Sequence, residues 1–195
     1  MLIWVCALRC EAKPVIDFYR LKKMTGLSLP FDLYSGAECH CIVTGMGDQN
    51  MLRGLQGAQQ YFHNISAKRW INLGIAGHKT LPLGSAVIVE QTSSEATGEI
   101  ITLPAPKHPG FSIKPAISVN AETTDYHDDA VFDMESFRFA QHCQQQTQPE
   151  SCHCIKIISD NSISKPNRNK AQISAWIADK MPQIADLAQS LQDEP

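Results

Sequence analysis

Three acidic residues, Glu11, Glu135 and Asp160, each stand at or just past the end of a short apolar run that reads as a β-strand: Leu2 to Leu8, Ala130 to Phe132 and Cys154 to Ile158. Strands laid side by side would bring the three carboxylates to one sheet edge, the place where open α/β sheets hold their ligands. A carboxyl that gives up a proton and a carboxylate that accepts one suit cleavage of a glycosidic bond through an oxocarbenium-like transition state, and a third can grip sugar hydroxyls. Burial and mutual repulsion would raise one of the three pKa values, so that this group carries a proton at neutral pH. Glu135 is the pivot. The run Ala130-Val131-Phe132-Asp133-Met134-Glu135-Ser136 places it one residue into a helix, whose N-terminus favours the ionised form. The same heptapeptide has a plainer reading, in which Asp133 and Glu135 only complement the dipole of a first helical turn.

The elements that must position these groups alternate. After the first strand, Pro14 suits the first turn of a helix whose stripe is Val15, Ile16, Phe18, Tyr19 and Leu21. Phe31 to Tyr34 and Cys39 to Thr44 read as a hairpin, Gly45-Met46-Gly47 as a strand-to-helix turn, and Asn50 to Phe62 as a helix. Trp70 to Leu73 reads as a strand running into a small-residue turn, Gly74-Ile75-Ala76-Gly77-His78, that offers no bulk against a bound molecule. Leu83 to Glu90 is a further strand. Pro104, Pro106, Pro109 and Pro115 argue against a helix or a central strand over 98–118, leaving short extended pieces at Glu99 to Leu103 and Ala116 to Val119. The last helix takes Ser164 or Asn167 as cap and Pro166 as an early residue, with Pro182 expected to kink or restart it. The alternation predicts an α/β domain without repeat or linker, and 195 residues suit one compact unit spanning 1–195.

Composition removes several classes of partner. A net charge of −3 and a pI near 6.1 provide no basic field for nucleic acid or anionic lipid. No apolar stretch approaches the eighteen or so residues of a membrane span, and Met1 to Leu8 lacks the basic flank of a signal peptide, so a soluble cytoplasmic protein is expected. Seven cysteines, mostly within strand-like runs, read as reduced thiols. Cys39-His40-Cys41 and Cys152-His153-Cys154 have ligand types suited to zinc, but in a strand the histidine points away from the face its neighbours share, so no metal is expected.

Taken in order, Ala7-Leu8-Arg9-Cys10-Glu11, Thr44-Gly45-Met46-Gly47, Asn72-Leu73-Gly74-Ile75-Ala76-Gly77, Leu83-Gly84-Ser85-Ala86-Val87, Asp133-Met134-Glu135-Ser136 and Ile158-Ser159-Asp160 resemble the nucleoside phosphorylase and nucleosidase superfamily over most of the chain. The set resembles both the methylthioadenosine/S-adenosylhomocysteine nucleosidases and the hopanoid-associated nucleoside phosphorylases, with Gly-Ile-Ala-Gly and Asp-Met-Glu-Ser closer to the latter. The resemblance implies a three-layer α/β/α sandwich with a central mixed, partly barrel-like sheet, assembled as a homodimer or larger homo-oligomer and using no cofactor. It implies cleavage of the N-glycosidic bond of a purine nucleoside, bearing adenine, by water or phosphate. Glu135 would bond the ribose 2′ and 3′ hydroxyls, Met134 would pack on the sugar, Asp160 would protonate the purine at N7 and Glu11 would activate water. Ile75, Ala76 and Gly77 would lie beside the reaction centre, with Ser159, Gly45 and Gly47 also against the substrate and Arg9 and Lys156 as candidate contacts for phosphate.

The chain departs from that pattern in particular places. Ile75 stands where many relatives carry Ser or Thr, Lys156 near a common Arg, and His78 in place of a common Gly. The segment from about 91 to 129 is shorter than in relatives, where it supplies an aromatic wall for the base, and Glu122 to Tyr126 would have to serve here. These departures support an alternative, a catalytically impaired nucleoside-binding or scaffold protein on the same fold.

Overall fold

A computed structural model of the chain describes residues 1–65, 68–146, 151–166 and 169–193. Its centre is β1 (Leu2–Cys6), buried at every position and paired in parallel with β4 (Cys39–Val43) on one side and β5 (Arg69–His78) on the other. β3 (Asp32–Ser35) forms the expected hairpin with β4 and carries the two-residue β2 (Lys22–Lys23) at the sheet margin. On the far side, β5 pairs along its length with β10 (Cys152–Asn161), which pairs with β6 (Ala86–Ser94). β6 also carries β7 (Ile100–Thr102), and it pairs with β8 (Phe111–Ser118), then β8 with β9 (Val131–Asp133), and β9 returns to the end of β5. The circuit β5, β10, β6, β8, β9 is closed and the rest of the sheet is open. This is the mixed, partly barrel-like sheet of the expected fold class.

Strand alternation divides the apolar side chains between two faces. Trp4, Cys6, Ile71, Leu73, Ile155 and Ile157 pack under α1 (Arg9–Phe18) and α4 (Lys170–Asp193). Ile3, Val5, Trp70, Cys154 and Ile158 pack under α2 (Asp48–Tyr61) and α3 (Ser136–Gln146). Each fully buried large aliphatic contributes about 1.5–3 kcal/mol, which is why strands so continuously apolar must lie in a sheet covered on both faces. The two Cys-His-Cys runs follow the same division, with Cys39 and Cys41 in one core and Cys152 and Cys154 in the other. Among the described residues no group of three or more His, Cys, Asp or Glu side chains is placed to hold a metal, and no helix is long and apolar enough to cross a membrane.

Several local expectations are corrected. α1 begins at Arg9, so Glu11 lies in its first turn and Pro14 lies inside it. Pro14 has no N–H for the Cys10 carbonyl, and Ser174 of α4 donates its hydroxyl to that carbonyl at 2.7 Å instead. Gly74 to His78 is strand, not turn; the small residues admit close neighbours rather than a reversal. Residues 111–118 form an interior strand despite Pro115, because the β6–β8 register shifts between Val89–Lys114 and Thr92–Ala116 and the proline falls where the ladder is already broken. β6 likewise runs on to Ser94, past the Glu90 at which the sequence ends that strand. α4 is capped by Asn169, whose Oδ1 accepts the Ala171 and Gln172 N–H groups, and the helix continues through Pro182. Pro166 precedes it, and Asn167 lies outside the described residues.

Candidate active site

The site forms where the sheet parts. β1 follows β5 as far as Val5–Asn72, and β9 joins that edge only at Gly77–Phe132. In the interval the Ile75 N–H donates to Glu11 Oε1 at 3.0 Å, while Oε2 accepts the Leu8 N–H at 2.8 Å. A carboxylate on the first turn of α1 thus fills the gap a strand would otherwise fill. Burial pushes the Glu11 carboxyl up, against the two N–H donors and Lys156. A cavity of about 120 Å³ opens here, and Glu11, Glu135 and Asp160 all line it together with Met134, Ile75, Ala76, Gly77 and Ser159.

Glu135 immediately precedes α3 rather than standing inside it, and its carbonyl accepts the first helical bond, from Phe139 N–H at 3.0 Å. The capping side chain is Asp133, whose Oδ2 takes the Ser136 N–H at 2.9 Å. Glu135 Oε1 accepts the Gly47 N–H at 2.7 Å, across 88 residues of chain. Gly47 has φ +90°, a left-handed backbone that suits glycine and turns its N–H toward Glu135. The next residue, Asp48, is held by Arg138 through Nε–Oδ1 at 2.8 Å and Nη2–Oδ2 at 2.7 Å, so a bidentate pair fixes the start of α2 against α3 around this contact.

The helix N-terminus does not keep Glu135 fully ionised. Burial and the Asp133 carboxylate push its pKa from an ordinary 4.5 up to about 7, outweighing Lys156 and the Gly47 N–H. A raised folded-state pKa means that folding takes up a proton between these values, so stability is greatest below pH 4.5 and declines as pH rises toward 7. Glu135→Gln removes this charge. Relative to wild type, the variant should gain stability between pH 5 and pH 8, reaching about 3 kcal/mol, as read from denaturant unfolding at the two pH values. A difference independent of pH would contradict the assignment.

Beneath the cavity lies a buried ion pair. Lys156 Nζ stands 2.6 Å from Asp133 Oδ2 and donates to Asn72 Oδ1 at 2.8 Å, and the Asn72 amide donates to Val5 O at 3.0 Å. Asp133 Oδ1 accepts the hydroxyls of Ser118 and Ser136 at 2.8 and 2.7 Å. Burial would raise Asp133, but Lys156 and these hydroxyls hold it below the usual carboxylate range. Burial would likewise depress Lys156, and the Asp133 carboxylate keeps it charged.

Asp160 lies inside β10 rather than past its end. The β5–β10 register steps from Ile158–Ala76 to Asp160–Gly77, leaving Ser159 as an extra residue that re-aims the strand toward the cavity. Asp160 Oδ1 accepts the Ser159 hydroxyl, and Oδ2 accepts the hydroxyl of Tyr126.

Of the residues expected at the site, Gly45 and Gly47 stand behind it and their intervening Met46 lines it, about half exposed at the mouth. Neither expected anion contact reaches the cavity: the Arg9 guanidinium lies 4.7 Å over the Tyr34 ring, and Lys156 is spent on Asp133 and Asn72. Asp133 as ion-pair partner and Asn72 as its anchor were not foreseen. A lone amide inside the apolar run Trp70 to Leu73 was the available signal, since a buried amide needs partners.

No family model matches this chain, and no curated protein does. Solved structures do resemble it. An apo 5′-methylthioadenosine nucleosidase of Arabidopsis thaliana superposes with a TM-score of 0.83 at 14% identity, covering 100% of this chain and 96% of the other. Futalosine hydrolase of Helicobacter pylori gives 0.73 at 13% identity, covering 100% and 97%. Uridine phosphorylase of Schistosoma mansoni, in complex with thymidine, gives 0.77 at 11% identity, covering 97% and 86%. At these identities the likeness establishes the fold.

Proposed function

We propose that the chain cleaves the N-glycosidic bond of a purine nucleoside, one bearing adenine, with water as the acceptor. The observation that carries this reading is the lining of one cavity by Glu11, Glu135 and Asp160, which come from three separate parts of the chain. Asp160 gives a proton to the base as the bond to C1′ breaks, which lets the base leave neutral. Glu135 accepts the ribose hydroxyls, and Met134 packs against the sugar. Glu11 takes a proton from the water that adds to C1′, and the rise in its pKa on burial makes it a stronger base than an exposed carboxylate. Each Glu11 oxygen already holds one backbone N–H and keeps a second lone pair for that water.

Charge favours water over phosphate. The described lining carries five carboxyl groups, Glu11, Glu122, Asp133, Glu135 and Asp160, and no Lys, Arg or His. Lys156 compensates Asp133, and a phosphate dianion would meet the other carboxyl groups with no cation of its own, whereas water meets acceptors. The kinship in fold with nucleosidases and a phosphorylase supports glycosidic cleavage as the reaction class. Purified protein incubated with adenosine, methylthioadenosine or S-adenosylhomocysteine should release adenine at a rate indifferent to added phosphate. Absence of free base from all three would refute the proposal, and binding without release would favour the nucleoside-binding scaffold.

A further inference from the structure

Residues 120–129 cross the mouth of the cavity with neither helix nor strand, and Tyr126 is the only one of them whose side chain is buried. The segment is held at its two ends. The Val119 N–H donates to Asp133 O at 2.8 Å, and Asp129 meets His78 Nε2 at 3.2 Å and Lys114 Nζ at 2.5 Å. His78 Nδ1 accepts the Thr80 and Leu81 N–H groups, so Nε2 carries the hydrogen and donates to Asp129. Between the anchors the His127 ring stands edge-on to Phe132 at 5.2 Å, and the Tyr126 phenol ties the strap down. Its hydroxyl donates to Asp160 Oδ2, and its ring tilts against Phe132 at a centroid distance of 5.4 Å. The ring also covers Gly77 so closely that a Cβ there would fall 2.5 Å from a ring carbon.

Both Asp160 oxygens therefore accept bonds from within the protein, one from Ser159 and one from Tyr126. The slot bounded by Gly77, Phe132 and Asp160 holds a flat six-membered ring with a hydrogen-bond donor on its edge. A purine that receives a proton from Asp160 must place a flat ring and a polar edge in that same slot. The remaining volume of about 120 Å³ is smaller than the roughly 300 Å³ and upward typical of small-molecule pockets. We propose that Tyr126 occupies the base subsite of the unliganded protein, and that a purine binds by displacing this ring while residues 120–129 swing out between their anchors. The inference rests on the purine-nucleosidase reading and adds the device that keeps that site shut. Opening lifts the Tyr126 ring and the neighbouring His127 ring off Phe132 and breaks the Tyr126–Asp160 hydrogen bond, so the ligand's affinity is reduced by the fraction of molecules that are closed.

Adenine alone is the probe, titrated calorimetrically into the full-length wild type, Tyr126→Phe and Tyr126→Ala. Tyr126→Phe keeps the ring and loses the hydroxyl, and with it the bond to Asp160 that holds the strap and the 3.0 Å contact with the Thr123 carbonyl inside the strap. It should bind adenine about tenfold more tightly than wild type, the worth of one hydrogen bond. In wild type, adenine should also speed amide hydrogen exchange over residues 120–129. If Tyr126 instead formed a wall contacting the base, Tyr126→Phe would bind equally or more weakly and Tyr126→Ala would lose affinity, and either result overturns the displacement. Adenine binding by wild type without faster exchange in the segment overturns it as well. Failure of all three proteins to bind adenine overturns this inference together with the function it rests on, whereas an active wild type with an unchanged Tyr126→Phe affinity removes this inference alone.

Discussion

Asp160→Asn should lower kcat/KM for adenine release about a thousandfold, within the span that general acid catalysis contributes, while leaving the fold intact. The substitution preserves size and one acceptor oxygen, so β10 and its extra residue Ser159 have no reason to move. What disappears is a carboxyl able to carry the proton that neutralises the leaving base. The amide also changes the strap: a neutral oxygen is a weaker partner for the Tyr126 hydroxyl than a carboxylate, and the new N–H₂ group cannot accept it. Adenine affinity should accordingly hold or rise as kcat collapses, a separation that a merely structural role for Asp160 would not produce. Single-turnover kinetics beside calorimetric binding checks both halves. Turnover within tenfold of wild type would remove Asp160 from the acid role.

The second large effect is on stability. Lys156→Met should destabilise the protein by about 3–5 kcal/mol, because it leaves the Asp133 carboxylate buried without its countercharge. For a chain of 195 residues that corresponds to a fall in Tm of about 10 °C. The sign with pH follows from Asp133. Its folded pKa is depressed below the unfolded value near 3.8, so the ion pair contributes above that value and is lost as pH falls through the folded one. The deficit of Lys156→Met should thus be full at neutral pH and shrink under strong acid. Calorimetry from pH 3 to 7 provides the test, and a deficit below 1 kcal/mol at neutral pH would mean that Asp133 finds other compensation. The same pair affects the site, since Asp133 raises Glu135 and Lys156 opposes that rise.

Ile75 shows why part of the site was legible only in outline. Its position in a small-residue run was plain, and that run does line the cavity. Reading the run as a turn failed because glycine and alanine serve two ends, reversal and close approach. Here they admit the Glu11 carboxylate and the Tyr126 ring beside a strand that continues to His78. Pro115 misled in the opposite sense. A proline argues against a central strand only where the ladder needs its N–H, and at the β6–β8 shift it does not.

By itself the sequence determined the alternation of buried strands and amphipathic helices, the hairpin at β3 and β4, and the three carboxylates at the ends of apolar runs. These are set by spacing within a few residues, which is the range over which side-chain periodicity acts. Only the tertiary structure decided that Lys156 faces Asp133 rather than a ligand, that Arg9 lies away from the cavity, that Glu135 titrates near 7, and that Tyr126 sits on Asp160. Each of these depends on partners distant in the chain, such as Lys156 with Asp133, Arg9 with Tyr34, Tyr126 with Asp160 across 34 residues or Glu135 with Gly47 across 88. Charge and desolvation act through space, and which groups share a low-dielectric cavity is known only once the sheet has closed on itself through β5, β10, β6, β8 and β9.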